Sequence, residues 1–241
     1  MHREIWLRRF DGLEARTIFC FWFGEINQMS PNRLVSLFTL FHVTGCSICL
    51  ITKDTLKNWV HPDHPLISGF DYLSDVHKSD YLRAYFMHFY GGGYSDIKPP
   101  RTNWNAAFDI MQGENSYAIG YRELRPTCVA STGSEDSLKV RDAYLELIGM
   151  CAYIMRKRTE LTKKYLFRLE SVILHYYPNL RAGPPISAYD SADKLFVSEP
   201  SAYPLRWTEI GSEVFHPTCY ELREHLQFFD LLCPNLTKEY R

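Results

Sequence analysis

An α/β fold, with parallel strands flanked by helices, is what this sequence predicts, and three observations carry the prediction. Residues 16–23 are almost continuously apolar, as strands covered on both faces are. A helical pattern follows, with Leu34, Leu37, Phe38 and Phe41 at i, i+3, i+4 and i+7. A second apolar run then spans residues 47–52. Strand, helix and strand at this length make a βαβ unit, for which a right-handed crossover is expected.

The remaining elements follow in order. Ser30 offers an N-cap with Pro31 at the first helical position, and Gly45 closes that helix. Residues 58–73 are interrupted by Pro62, Pro65 and Gly69 and read as loop. Residues 75–90 read as a helix. At about 100° per residue, Asp80, Arg83 and Met87 share one stripe, with Leu82, Tyr85, Phe86 and Phe89 roughly opposite. The apolar face would pack on a sheet and leave the Asp/Arg stripe to a ligand. Gly91-Gly92-Gly93 ends the helix, where glycine can take the left-handed conformation and let a ligand approach the backbone. A strand end over 94–98 stops at Pro99-Pro100. A short helix over 104–111 and a strand over 117–121 come next. Residues 136–177 read as strongly helical. Tyr144, Leu147, Ile148, Cys151 and Met155 form one stripe, and Leu166, Leu169, Val172, Ile173 and Tyr176 a second. Arg156-Lys157-Arg158 between them is a solvated face or turn. After Gly183-Pro184-Pro185 the chain is expected to mix short strands with a final helix near 220–232.

At 241 residues the chain has the length of a single domain with a sizeable core. Its 27 basic and 28 acidic side chains nearly cancel, which argues against a nucleic-acid or membrane-surface binder, since both need a basic field. No apolar run approaches the roughly 20 residues of a membrane span. The first twelve residues lack the apolar region of a signal peptide. Seven cysteines, an odd number without repeating spacing, read as buried thiols in a reducing compartment. Cys46-x-x-Cys49 has no second pair to complete a metal site. A cytoplasmic location is expected.

Residues 78–98 read KSDYLRAYFMHFYGGGYSDIK. Ser79-Asp80 and Arg83 precede a hydrophobic helix, Gly91-Gly92-Gly93-Tyr94 and Asp96. This order resembles the S/A-D-x-x-R, then G-G-x-Y-x-D-x-D pattern of GT-A glycosyltransferases. It is similar above all to capsular-polysaccharide-synthesis proteins, and more distantly to a group of mannosyltransferases and to the large clostridial glucosylating toxins. TIFCFWFG (17–24), LITKDTL (50–56), HPLISGFDYLSDVHK (64–78) and WTEIGSEVFHP (207–217) extend the resemblance, but only the central motif carries residue-level weight.

The resemblance implies a single GT-A domain. It implies a Rossmann-like nucleotide-sugar-binding sheet flanked by helices, with a nucleotide-sugar-binding part over about 14–125 and a helical and irregular acceptor-side part over about 126–241. It implies transfer of a hexose from a UDP- or GDP-linked sugar to a glycan hydroxyl, in surface polysaccharide or glycoprotein glycan synthesis. Trp22 would lie against the nucleotide base, and Asp80, Arg83, Gly92, Gly93 and Asp96 would bind the donor. A Mn2+ or Mg2+ ion would be held by Asp96, with His216 as a further ligand. Asp96 lies just past an apolar strand, where a carboxylate serves a ligand better than a core.

The diphosphate leaving group gains charge as the glycosidic bond breaks, so stabilising it is the main catalytic requirement. Lys98 departs from the pattern, standing where the second aspartate of D-x-D is expected. Either Asp96 retains a weakened metal site, or the Lys98 ammonium itself neutralises the diphosphate. Bland readings stand beside these. Asp80 and Arg83 at i, i+3 can be a surface helix pair, Trp22 a core residue, His216 a structural histidine and Lys98 a surface charge. Glu123, Asp190, Asp193 and Glu209 are candidates for a general base by position only. A non-catalytic nucleotide-sugar-binding relative is the main alternative, and a plain α/β interaction domain the third.

Overall fold

Residues 17–22 become a central strand because their side chains find apolar cover on both faces. The computed structural model describes residues 2–113, 115–195 and 201–236. In it β1 (Thr17–Trp22) sends Ile18 and Cys20 into one apolar cluster and Phe19 and Phe21 into another. The other strands are β2 (Ser47–Thr52), β3 (Gly92–Ser95), β4 (Ala118–Arg122), β5 (Ile148–Met155) and β6 (Leu226–Phe228). They form one six-stranded sheet in the order β2-β1-β3-β5-β4-β6. β1 pairs in parallel with β2 and β3, β4 in parallel with β6, and β5 is antiparallel to both of its neighbours. Five strands therefore run one way and β5 runs against them.

The longer helices are α1 (His2–Arg9), α2 (Pro31–Val43), α3 (Asp75–Phe89), α4 (Asn105–Ile110), α5 (Glu135–Asp142), α6 (Glu160–Ala182) and α7 (Ser212–Glu221). α3, α6 and α7 cover one face of the sheet through Tyr81, Tyr85, Phe86, Leu169, Ile173 and Phe215. α2 and α4 cover the other through Leu40, Ala107 and Phe108. Phe19 and Phe86 are fully buried with ring centroids 5.0 Å apart, and burial of each contributes about 1.5–3 kcal/mol.

The βαβ unit forms as expected, with Thr17 opposite Ser47 and Trp22 opposite Thr52. Ser30 caps α2 by accepting from the Arg33 amide, and Gly45 takes φ +69° beyond its end. The packing of this unit differs from expectation. β2 is an edge strand with one fully buried residue, Ile51, so α2 rests on a thin margin of the sheet. It packs through Leu40, Ser36 and, in part, Leu37, and leaves Leu34, Phe38 and Phe41 exposed.

Two helical expectations are corrected. Residues 148–155 form β5, not a helix; the run is buried on both faces between β3 and β4, where strand and buried helix share the same apolar signature. Near the C-terminus the helix lies earlier, over Ser212–Glu221, and Leu226 pairs into the sheet as part of β6. β5 and β6 come from the C-terminal half, so both halves of the chain build the one sheet. The second stripe of the 136–177 region does lie on α6, with Leu166, Leu169 and Ile173 buried. In the intervening turn, Arg156 donates to the carbonyls of Met111, Gly113 and Ser116, and Lys157 pairs with Asp11. These two side chains fasten loops and are not merely solvated.

The glycine triplet serves the chain's own backbone. Gly91 and Gly92 take φ +65° and +87°, and the Gly12 amide donates to the Tyr90 carbonyl at 2.8 Å. A Cβ on Gly92 would stand 2.7 Å from the Thr17 carbonyl oxygen, and one on Gly93 3.0 Å from the Ile18 side chain. Gly92→Ala is therefore expected to cost about 1–2 kcal/mol for the left-handed backbone and a further 1–3 or so for overpacking. The melting temperature checks this. An unchanged melt with lost ligand binding would return Gly92 to the binding site.

Candidate functional site

In open α/β sheets ligands bind beyond the carboxyl ends of the parallel strands. Here the ends of β1 and β3, together with α3 and the N-terminal ends of α2 and α7, border a cleft of ≈ 760 Å³. Trp22, Asp80, Arg83, Asp96 and Lys98 all line it. The sequence thus identified residues that the fold gathers from two strand ends and one helix.

Local structure sets each of these side chains. Asp96 follows β3 directly, and its amide donates to the Cys151 carbonyl on β5 at 2.8 Å. The Lys98 amide then donates to the Asp96 carbonyl at 2.7 Å, a three-residue turn. That turn folds the lysine back, so Lys98 Nζ lies 2.6 Å from Asp96 Oδ2 and 3.2 Å from Cys151 Sγ. α3 is tied down at its first turn. His77 Nδ1 lies 2.8 Å from the Tyr203 hydroxyl, and Nε2 3.1 Å from the Arg206 carbonyl. Burial holds the His77 pKa down to about 4. These bonds fix the helix against the segment bearing Trp207 and Thr208, which form the far wall. Trp22 is half-buried at the end of β1, its indole N–H donating to the Glu25 carbonyl at 3.3 Å.

Most of α3 is buried, and the Asp/Arg stripe is not a free surface. Arg83 Nη2 lies 3.1 Å from Asp80 Oδ1 and 3.5 Å from Asp96 Oδ1, and the guanidinium sits 4.7 Å from the Tyr94 ring centre. Asp96 Oδ1 also accepts from the Tyr94 hydroxyl. Arg83 Nε is buried without a hydrogen-bond partner in the described structure, so the guanidinium is not saturated. Burial opposes ionisation of Asp96, but Lys98 and Arg83 outweigh it and hold the carboxyl well below the usual range. Burial likewise works against the Arg83 charge, and Tyr94, Asp80 and Asp96 outweigh it, raising its pKa.

Asp80 is the opposite case. Burial raises its pKa to about 6, Arg83 pulls it back in part, and Asp96 adds to the rise. The folded state therefore binds this proton more tightly than the unfolded chain does. Stability falls as pH rises from about 4 to 6, by roughly 3 kcal/mol in total, and the cost is complete above that. Asp80→Asn is expected to melt above wild type at pH 7, with the gap closing at pH 4. A variant that melts lower at pH 7 would show that the Arg83 contact outweighs burial.

Other sequence candidates stand elsewhere. Gly92 and Gly93 face neighbouring backbone and side chains, as described above, and do not line the cleft. His216 is fully buried on α7, with Nδ1 2.7 Å from Ser212 Oγ and Nε2 3.1 Å from Glu123 Oε1. The structure does not bring it together with Asp96 in the cleft lining. The four positional candidates for a base also lie outside that lining. Glu123 holds His216, Asp190 accepts from the Ile186 amide and Ser201, Asp193 from the Trp207 amide, and Glu209 from the Tyr176 hydroxyl. Among the described residues the cleft carboxylates are Asp75, Asp80 and Asp96.

As arranged, these residues do not suit a divalent cation. Both oxygens of Asp96 are engaged by cations and a hydroxyl, and among the described residues no three His, Cys, Asp or Glu side chains group as metal ligands. Sequence reasoning missed Arg33, which donates to the Ile97 carbonyl at 3.0 Å, and Tyr189, both in the cleft wall. No local pattern marks either one. The seven cysteines are unpaired, and burial raises the Cys46 and Cys49 thiols to about 11. Among the described residues no helix is long and apolar enough to cross a membrane. Compared with protein-family models, curated proteins and solved structures, the chain matches none of them.

Proposed function

We propose that the chain is a GT-A glycosyltransferase that moves a hexose from a nucleoside-diphosphate sugar to a glycan hydroxyl. The observation that carries this reading is the meeting of Trp22, Asp80, Arg83, Asp96 and Lys98 in one cleft beyond the strand ends. Trp22 supplies a flat face for a nucleotide base. Asp80 accepts from sugar hydroxyls, and Arg83 offers a planar donor fork to sugar or phosphate oxygens. In the transfer, the bond from the sugar C1 to the β-phosphate oxygen breaks, and its electron pair leaves with the nucleoside diphosphate. The acceptor oxygen bonds to C1, and its proton passes to the departing phosphate. Cations beside the leaving oxygens lower the barrier because charge develops there in the transition state. Surface polysaccharide or glycoprotein glycan synthesis is the setting proposed, and the cytoplasm the proposed location.

The test is release of UDP or GDP from a panel of UDP- and GDP-hexoses, with and without oligosaccharide acceptors. One donor is expected to release its nucleoside diphosphate faster with an acceptor present. Binding of a donor without release would support the second reading, a non-catalytic nucleotide-sugar-binding relative. The closed ion pair between Asp96 and Lys98 favours that alternative.

A further inference from the structure

We infer that the cleft holds the diphosphate of its ligand with Lys98, Arg83 and Arg33, and that binding needs no divalent cation. This deepens the nucleoside-diphosphate reading and rests on it. The argument begins at Asp96, the only carboxylate of the expected metal pair that this chain retains. Mg2+ requires near-octahedral oxygen ligands, and Mn2+ favours the same donors. To reach Asp96 an ion must displace Lys98 Nζ from Oδ2, at 2.6 Å, and compete with Tyr94 and Arg83 for Oδ1. Asp80, the next carboxylate, is already 3.1 Å from Arg83.

Displacement is costly. Lys98 is buried, and parting a buried ion pair is strongly unfavourable. The ion would also face cations already in place. Two unit charges 4 Å apart repel by about 4 kcal/mol at an effective dielectric of 20, and a divalent ion doubles this.

The same features suit a diphosphate. Lys98 and Arg83 both contact Asp96, and Arg33 is anchored to the carbonyl of the next residue, Ile97. Three cationic side chains thus meet at this end of the cleft, beside Asp80 and Asp96. They are also held in advance. The turn between Asp96 and Lys98 and the contact to Cys151 fix the ammonium, while Asp80 and the Tyr94 ring fix the guanidinium. Preorganised cations in a site of low polarity stabilise a leaving diphosphate without reorganising during the reaction.

Calorimetric titration with UDP and with GDP, in EDTA and in Mn2+, tests the inference on the wild-type chain. One of the two is expected to bind with a Kd in EDTA within about threefold of that in Mn2+. Lys98→Ala, if its melt shows it folded, should lose at least about tenfold in EDTA. Lys98→Asp restores the aspartate pair and should bind weakly in EDTA, recovering at least about tenfold in Mn2+. Wild-type binding that collapses in EDTA and returns with Mn2+ would overturn the inference and leave the nucleotide reading standing. Binding of neither nucleotide under any condition would overturn that reading, and the inference with it.

Discussion

Asp96→Ala is expected to abolish sugar transfer and to destabilise the fold by about 3–5 kcal/mol, the cost of removing one partner from a buried ion-pair cluster. Asp96 is the shared acceptor for Tyr94, Arg83 and Lys98, and without it two cations lie side by side. At 2–4 °C or so per kcal/mol for a chain of this size, the melt should fall by roughly 10 °C. The loss has a pH signature. The folded-state pKa of Asp96 is depressed, so its stabilisation is fully present above the usual carboxylate range and is lost as pH falls below that range through the folded-state value. The gap in melting temperature between wild type and variant should therefore begin to narrow only as pH falls below about 4, the unfolded carboxylate range, and go on narrowing with further acidification. A variant that melts like wild type at pH 7 would show that Asp96 is not the keystone of the cluster.

Arg83→Lys should weaken donor binding at least about tenfold, or 1.4 kcal/mol. Lysine keeps the charge and loses the planar fork. A single ammonium cannot reproduce the guanidinium's reach to Asp80 and Asp96 from above the Tyr94 ring. The melt is expected to fall as well, by less than for Asp96→Ala, because the positive charge remains.

Much of the cleft was legible because its residues lie close together in sequence. Asp80, Arg83, Asp96 and Lys98 come from one helix and the strand after it, so helical spacing and a glycine stop were enough to group them. The βαβ unit was legible for a similar reason, since continuous apolar runs on either side of a helical period have few other solutions. Residues 148–155 were not legible. Their apolar stripe fits a helix as well as a strand, and only the space between β3 and β4 decides the matter. The exposure of Phe38 and Phe41 was hidden for a related reason, because periodicity locates an apolar face and does not say what covers it. The glycines' packing partners were not legible either: the close approach found at Gly92 is to Gly12 and Thr17, some 80 residues earlier. Burial of the Asp80–Arg83–Asp96 cluster was also out of reach, since it depends on residues far along the chain, such as Gly211, which lies beside the Asp80 carboxylate.

The central claim is that this cleft is the binding site for a sugar-nucleotide donor. Equilibrium binding of UDP- and GDP-hexoses to wild type, Arg83→Lys and Trp22→Ala, each checked for fold by near-ultraviolet circular dichroism, tests it most directly. The account expects one donor to bind wild type and to lose at least about tenfold in affinity for each variant. Equal affinities in all three proteins, or no donor bound by wild type, would contradict it.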